Sequence, residues 1–281
     1  NSGILTSATP VVVNIDYDTL SIDTKKIRQA ITAQTKVIMP VHLYGLYADM
    51  DKIMQIAGEH DLRVVEDAAQ AVGVTFNGKH AGTFGDFGSF SFYGNKTMTT
   101  GEGGMLIMDN DEYADAAYRM KNHGRIMKGT FEHETIGYNF SISDLQSALG
   151  VSQLAKLGEI VERKKHIYDT YKEGLGGVKG VRFYDIDERI SPVHWFTNII
   201  VEDAQVFSAK LKELGVQSRL CFYPIKDQPC YKDYAGIRFE GEIVNDTKLY
   251  NTLLALPSFV KLTDEQLQEV ITAVKKVAEG I

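Results

Sequence analysis

Two short apolar runs, Val37-Ile38-Met39-Pro40-Val41 and Arg63-Val64-Val65-Glu66-Asp67, stand on either side of one helix length, and that alternation limits the fold most. Between them Asp49 is a suitable N-cap for a helix reaching about His60, with Ile53, Ile56 and Ala57 on its inner face. Strand, amphipathic helix and strand in that order make a βαβ crossover, which requires a mainly parallel sheet. In such sheets ligands collect beyond the carboxyl ends of the strands. The loop His42-Leu43-Tyr44-Gly45 follows the first run and Asp67 closes the second, so His42 and Asp67 are expected there.

The rest of the chain extends this frame. Residues 11–15 read as a buried strand, and Asp23 or Thr24 opens a short helix with Ile27, Ala30 and Ile31 inward. Asn77-Gly78 between Val74-Thr75-Phe76 and Lys79-His80 is a two-residue hairpin signal. A strand of alternating Ser and Phe, 89–92, then runs into a tight turn at Gly94-Asn95, presents Lys96, and continues through Gly101-Glu102-Gly103-Gly104 into the apolar strand 105–108. A helix from Asp111 is expected to turn Tyr113, Ala116, Ala117 and Met120 inward and to stop near His123-Gly124. Residues 125–142 lack periodicity. Ser143-Asp144-Leu145-Gln146 is a capping box and opens one long helix, 143–174, with Leu154, Leu157, Val161, Tyr168 and Tyr171 among its apolar positions.

Beyond residue 176 the texture is α+β. A strand is expected near 195–201, a helix over 203–215, a segment around 216–224, and a last helix capped by Thr263-Asp264-Glu265-Gln266 that packs Leu267, Val270, Ile271, Val274 and Val277. The expected division is therefore a large domain, 1–175, ending in the connecting helix, and a smaller C-terminal domain, 176–281.

Composition excludes several classes of function. A net charge of −7 and a pI near 5.5 argue against a nucleic-acid surface, so any phosphate site must be local. No apolar run approaches the ~20 residues that span a membrane. Cys221 and Cys230 lack metal-ligand spacing and read as free thiols, so the expected compartment is the cytoplasm and no metal is expected.

A lysine following a tight turn among Phe90, Phe92 and Met98 can be desolvated, and a lysine amine becomes a useful nucleophile when its pKa falls. Such a lysine can bind the aldehyde of pyridoxal phosphate (PLP). That cofactor needs a carboxylate at its ring nitrogen, for which Asp67 is placed. Ala69 is small enough to lie against a ring, Gln70 can reach a ring hydroxyl, and Ser91 can donate to a phosphate. Singly, each residue has a structural explanation: a solvated lysine, a helix-capping aspartate, structural histidines at 42 and 123, a solvated turn at Glu102. Their joint occurrence in this order on a βαβ frame favours one site.

These motifs resemble the DegT-type nucleotide-sugar aminotransferases, a branch of the fold-type-I PLP enzymes. The resemblance is carried by Glu66-Asp67-Ala68-Ala69-Gln70-Ala71, Ser91-Phe92 with Lys96, and Gly101-Glu102-Gly103-Gly104. It is carried further by Pro40-Val41-His42-Leu43-Tyr44-Gly45, Asn122-His123-Gly124-Arg125, Gly137-Tyr138-Asn139 and Leu145-Gln146-Ser147-Ala148, and it runs nearly end to end. It implies that Lys96 binds the cofactor covalently, with Asp67, Ala69, Gln70 and Ser91 around the ring and phosphate. Asn139 is implied to reach the phosphate of the other subunit's cofactor in a homodimer with shared sites. His42, His123, Arg219 and Tyr223 are the expected substrate contacts. The implied reaction takes an amino group from glutamate, through the amine form of the cofactor (PMP), to a keto-sugar nucleotide. Lysine at position 96 argues against the related dehydratases, which have histidine there.

Residues 219–231 look more like enzymes that aminate C4 of 4-keto-6-deoxy sugars, such as perosamine synthases, than like C3-aminating relatives, although Lys226 stands where both commonly have histidine. Ser141 replaces an arginine of many relatives, and an interface contact is expected to be lost with it. Relatives also carry an N-terminal portion, with a phosphate-gripping helix N-terminus, that has no counterpart in this sequence; the expectation is that PLP binding suffers without it. Two other readings are a binding or regulatory protein that kept the fold without the reaction, and a dinucleotide-dependent oxidoreductase. Against the second stands the lack of G-x-G-x-x-G after any expected strand.

Overall fold

The computed structural model describes residues 1–127, 129–232 and 234–280. Its central sheet has four strands in the order Val37–Ile38, Arg63–Asp67, Phe87–Ser91 and Gly104–Ile107. The first three run parallel and the last antiparallel. The helix Met50–Glu59 crosses from the first strand to the second, its N-terminus capped by Asp49, whose carboxylate accepts the Lys52 N–H. Met50, Ile53, Ile56 and Ala57 bury its inner face in a core with Ile38, Val64, Ala68 and Phe76. The hairpin around Asn77-Gly78 forms as expected, with φ of 48° and 78° at those residues.

A second sheet is antiparallel, with Leu253–Leu256 between Arg219–Leu220 and Thr197–Ile200. The helix Asp264–Glu279 covers it, opened by the expected capping box between Thr263 and Gln266. Leu267, Val270, Ile271, Val274 and Val277 form a further core with Ile199, Phe207 and Leu211.

Several expectations are corrected. Strand 11–15 shrinks to Val11–Val12, which is only half-buried and pairs with Arg238–Phe239, away from the central sheet. The helix Asp111–Lys121 starts where expected but buries none of its residues, and Met120 is half exposed. The long helix is two helices, Asp144–Leu154 and Leu157–Leu175, broken at Ala155-Lys156. The break lets each segment choose its own face. The first buries nothing, whereas the second sinks Ile160, Ile167, Tyr171 and Leu175.

Gly45 shows why the Tyr44-Gly45 step needs glycine. Its φ is +79°, and a Cβ there would lie 1.6 Å from the Val193 carbonyl oxygen. This close approach brings the loop after the first central strand against the segment that leads into the second sheet.

Candidate active site

Asp67 ends its strand directly opposite Ser89, so Ser91, two residues on, extends from the same face of the sheet. The Asp67 carboxylate is fixed by one oxygen: Oδ1 accepts the Ala69 N–H at 3.0 Å. Its Oδ2 has no hydrogen-bond partner among the described residues. Gln70 is similarly half committed. Its Oε1 accepts the Tyr44 N–H at 2.7 Å, which turns the amide NH2 away from the backbone and leaves it unbonded among the described residues.

Lys96 follows the turn, its N–H bonded to the Tyr93 carbonyl at 3.0 Å. The side chain is half-buried, with Nζ 4.5 Å from the centre of the Trp195 ring. Burial pushes the ammonium below its ordinary pKa, and the Asp67 charge acts in the opposite sense. Thus the amine and the carboxylate that the sequence paired lie within electrostatic range, and the amine is easier to deprotonate than a surface lysine.

A cavity of about 900 Å³ opens beside Lys96, lined also by Lys164, Trp195, Arg219 and Ser258. A smaller one of about 190 Å³ is bounded by Tyr44, Asn198, Arg219, Cys221 and Tyr223. Arg219 borders both, with its guanidinium 5.4 Å from the Phe196 ring centre. Tyr223 is exposed and packs edge-on against Tyr250. Lys226 turns away from these cavities and is held by Asp246 at 3.2 Å and by the Ile243 carbonyl.

His42 is corrected from a substrate contact to a core residue. It has no solvent exposure, Nε2 is 2.9 Å from Glu66 Oε2, and Nδ1 accepts the Ala48 N–H at 3.1 Å. Both ring nitrogens are taken, and its flat face stacks on Tyr47. His123 lies elsewhere, on an arm where its N–H donates to the Tyr138 carbonyl and Asn122 bridges to Asn139. The two motifs around His123 and Asn139 are therefore joined through their backbones. Asn139 itself is exposed, and no contact links it to Lys96 of the same chain.

Sequence reasoning missed Trp195 and Lys164. Trp195 is the single tryptophan of the chain, a signal that was available. Lys164 sits on the apolar stripe Ile160, Ile167, Tyr171 of its helix, a register in which a solvated lysine is out of place. Its Nζ donates to the Trp195 carbonyl at 3.0 Å and to the Ser258 carbonyl, and burial lowers its pKa to about 8.

Among the described residues no cluster of His, Cys, Asp and Glu has metal-binding geometry, and no helix is long and apolar enough to cross a membrane. Residues 1–275 match the DegT/DnrJ/EryC1/StrS aminotransferase family. The chain is 33% identical over 265 residues to the GDP-perosamine synthase of Escherichia coli O157:H7, covering 93% of this chain and 71% of that protein. It is 32% identical over 280 residues to the UDP-N-acetyl-3-dehydro-alpha-D-glucosamine 3-aminotransferase of Acidithiobacillus ferrooxidans, covering 97% and 73%. Among solved structures, Spr1654 of Streptococcus pneumoniae in its PLP form superposes with a TM-score of 0.91 at 27% identity, covering 99% of this chain and 77% of that one.

Proposed function

We propose, from the premise that this chain belongs to the DegT/DnrJ/EryC1/StrS aminotransferase family, that it moves an amino group from glutamate to C4 of a nucleotide-linked 4-keto-6-deoxyhexose. The chain is a PLP-dependent sugar aminotransferase with the fold-type-I architecture of its relatives. The observation that carries the reading is the half-buried Lys96 amine, its pKa lowered, facing the charge of Asp67 at the carboxyl end of a parallel strand.

The donor set fits PLP. Lys96 supplies an amine that is partly desolvated, and Asp67 Oδ2 is a free acceptor for a protonated ring nitrogen. The unbonded Gln70 NH2 can donate to a ring oxygen, and Ser91 brings a hydroxyl on the same sheet face. Ala69 leaves room for a flat ring beside Asp67. When bound, PLP supplies an electron sink and carries the amino group between the two half-reactions. Asp67 keeps the proton on the ring nitrogen. Lys96 Nζ takes the proton from the carbon of the incoming glutamate and returns a proton to the sugar carbon that receives nitrogen. Glutamate leaves as 2-oxoglutarate and the keto sugar leaves as the amine, so nitrogen and electrons balance.

Arg219, on the rim of both cavities, is placed for the diphosphate of the sugar nucleotide, with Tyr223 nearby. We also keep His123 as a substrate contact and assign Asn139 to the phosphate site of a second copy. Support for that homodimer comes from apolar side chains that face solvent, Phe131, Ile136 and Phe140 on the same arm and Leu145 at the start of the helix that follows it. We divide the chain into units 1–175 and 176–281, and we place it in the cytoplasm, which suits two free thiols.

Residues 219–231 support C4, and the 3-aminotransferase relative supports C3 as the second reading. Borohydride reduction in the presence of PLP should add the cofactor mass to the Lys96 peptide and abolish visible absorbance. An unlabelled Lys96 would sink the site assignment. Assay with glutamate against 4-keto and 3-keto sugar nucleotides then decides the carbon, and turnover of the 3-keto series alone would refute C4.

A further inference from the structure

Trp195 meets the Lys96 segment twice. Its indole Nε1–H donates to the Asn95 carbonyl at 2.6 Å, one residue before the lysine, and its ring lies under the Lys96 ammonium at 4.5 Å. The ring itself cannot easily turn. Only 4% of Trp195 is exposed, Phe196 stacks on it at 3.9 Å, and Lys164 Nζ holds its carbonyl at 3.0 Å. Lys164 in turn is anchored to Ser258, so the tryptophan is held through its backbone as well as its ring. Of the donor set assigned to the cofactor, these contacts involve Lys96 and leave Asp67, Gln70 and Ser91 untouched.

We propose that Trp195 is the positioning residue for Lys96, its indole N–H fixing the turn and its ring face serving as the docking place of the Lys96 ammonium whenever that amine is free. The inference rests on the reading of Lys96 as the cofactor lysine. A transaminase lysine must leave the cofactor and come back in each half-reaction, and a long side chain released into a cavity of about 900 Å³ has many rotamers to explore. An aromatic face attracts a cation by its quadrupole, most strongly for tryptophan and when water is excluded. The charged groups that face Lys96 are Asp67, which attracts it, and Lys164, Arg219 and Glu269 around the same cavity. Three of these four sit at the cavity wall, whereas the Trp195 ring is in contact, so the ring selects where the ammonium rests.

The test uses cofactor-free full-length chain, labelled with limiting acetyl N-hydroxysuccinimide ester between pH 6 and 10. Acetylation of the Lys96 peptide is read by mass spectrometry against the exposed Lys52. Trp195→Leu keeps the wall apolar but removes the ring face. It should lower the pH of half-maximal Lys96 labelling by about half to one unit, a gain of about threefold to tenfold in rate near pH 8. Trp195→Phe should move it less and in the same direction. Midpoints equal to wild type in both folded variants would overturn the proposal. Should the Leu variant not fold, the Phe variant decides, an unchanged midpoint again overturning it. Borohydride fixation of PLP on wild type runs in parallel: no label on Lys96 there refutes the parent reading, whereas label with unmoved midpoints refutes only the role of Trp195.

Discussion

The imidazole of His42 and the carboxylate of Glu66 meet at 2.9 Å with neither side chain exposed. Because His42 Nδ1 accepts the Ala48 N–H, the proton is on Nε2 and is donated to Glu66. Glu66 also accepts the N–H groups of Gly82, Phe84 and Gly85 at 2.8, 2.6 and 2.7 Å. Burial raises its pKa, but the bonds from His42, Gly85 and Gly82 together outweigh burial and leave it below the ordinary value. The residue next to Asp67 is thus pinned from two sides, which fixes the strand end that presents the Asp67 carboxylate. Glu66→Ala strands these donors and should cost ~3–5 kcal/mol, and Glu66→Gln, which turns an NH2 toward them, ~1–3 kcal/mol. Urea unfolding monitored by Trp195 fluorescence checks both, and a Gln variant as stable as wild type would contradict the network.

Asp67→Asn keeps the shape of the side chain and its bond to Ala69 but removes the charge proposed to hold a protonated ring nitrogen. Turnover should fall on the order of 10²-fold or more, while PLP is still fixed to Lys96 by borohydride. Loss of fixation together with turnover would mean that Asp67 serves binding rather than the chemistry.

Much of this arrangement was legible in the sequence, because period and punctuation are local. Asp49, Ser143 and Thr263 cap helices as their spacing dictates, and Asn77-Gly78 makes its turn. What escaped depends on distant partners. Nothing local tells that His42 would find Glu66 beneath the sheet, or that Trp195 would come under Lys96 across the chain. The helix break at Ala155-Lys156 has no glycine or proline to announce it, since both residues favour helices. The inward face expected for Asp111–Lys121 is periodic in the sequence, yet the described fold sets little against it beyond Phe87, on which Tyr113 stacks at 5.0 Å, and none of its residues is fully buried.

Lys164 gives a signature in alkali. Its folded pKa is about 8, against ~10.4 for a lysine in an unfolded chain. Between those values the unfolded chain carries a proton that the folded one lacks, so this group makes stability rise with pH across that window. The rise should be about 3 kcal/mol when Lys164→Met, which lacks the titration, is subtracted as the baseline. Equal slopes for the two proteins from pH 8 to 10 would refute the buried ammonium.

His194 gives the opposite limb, in acid. Burial chiefly lowers its pKa to about 3, with Asp169 opposing and Lys164, Lys165 and Lys172 reinforcing, and its ring stacks on Tyr168 at 3.5 Å. As pH falls below 6.5 the unfolded histidine takes a proton that the folded one refuses, so stability declines toward pH 3 by about 1.4 kcal/mol per unit. His194→Phe preserves the stack and removes the titration. Urea midpoints at pH 6.5 and 4.5 should therefore separate the two proteins by about 2–3 kcal/mol more at the lower pH.

The arm carrying Asn139 ties the proposed site to the assembly. Ile136 is 91% exposed, Leu145 86% and Phe131 83%, values that a lone chain in water has no reason to keep on one stretch. Tyr138 and Phe140 stack parallel at 4.9 Å beside them, giving a flat apolar platform already ordered by the backbone pairing of Asn122 with Asn139. Burying that platform against a second copy would bring Asn139 to the neighbour's cofactor phosphate. Ile136→Asp combined with Leu145→Asp places charges where the copies would meet and should halve the mass seen by sedimentation velocity. The same variant should fix less PLP on Lys96, although neither substitution touches the Lys96 cavity. A variant that stays dimeric, or one that becomes monomeric yet binds PLP as wild type does, would separate Asn139 from the shared site.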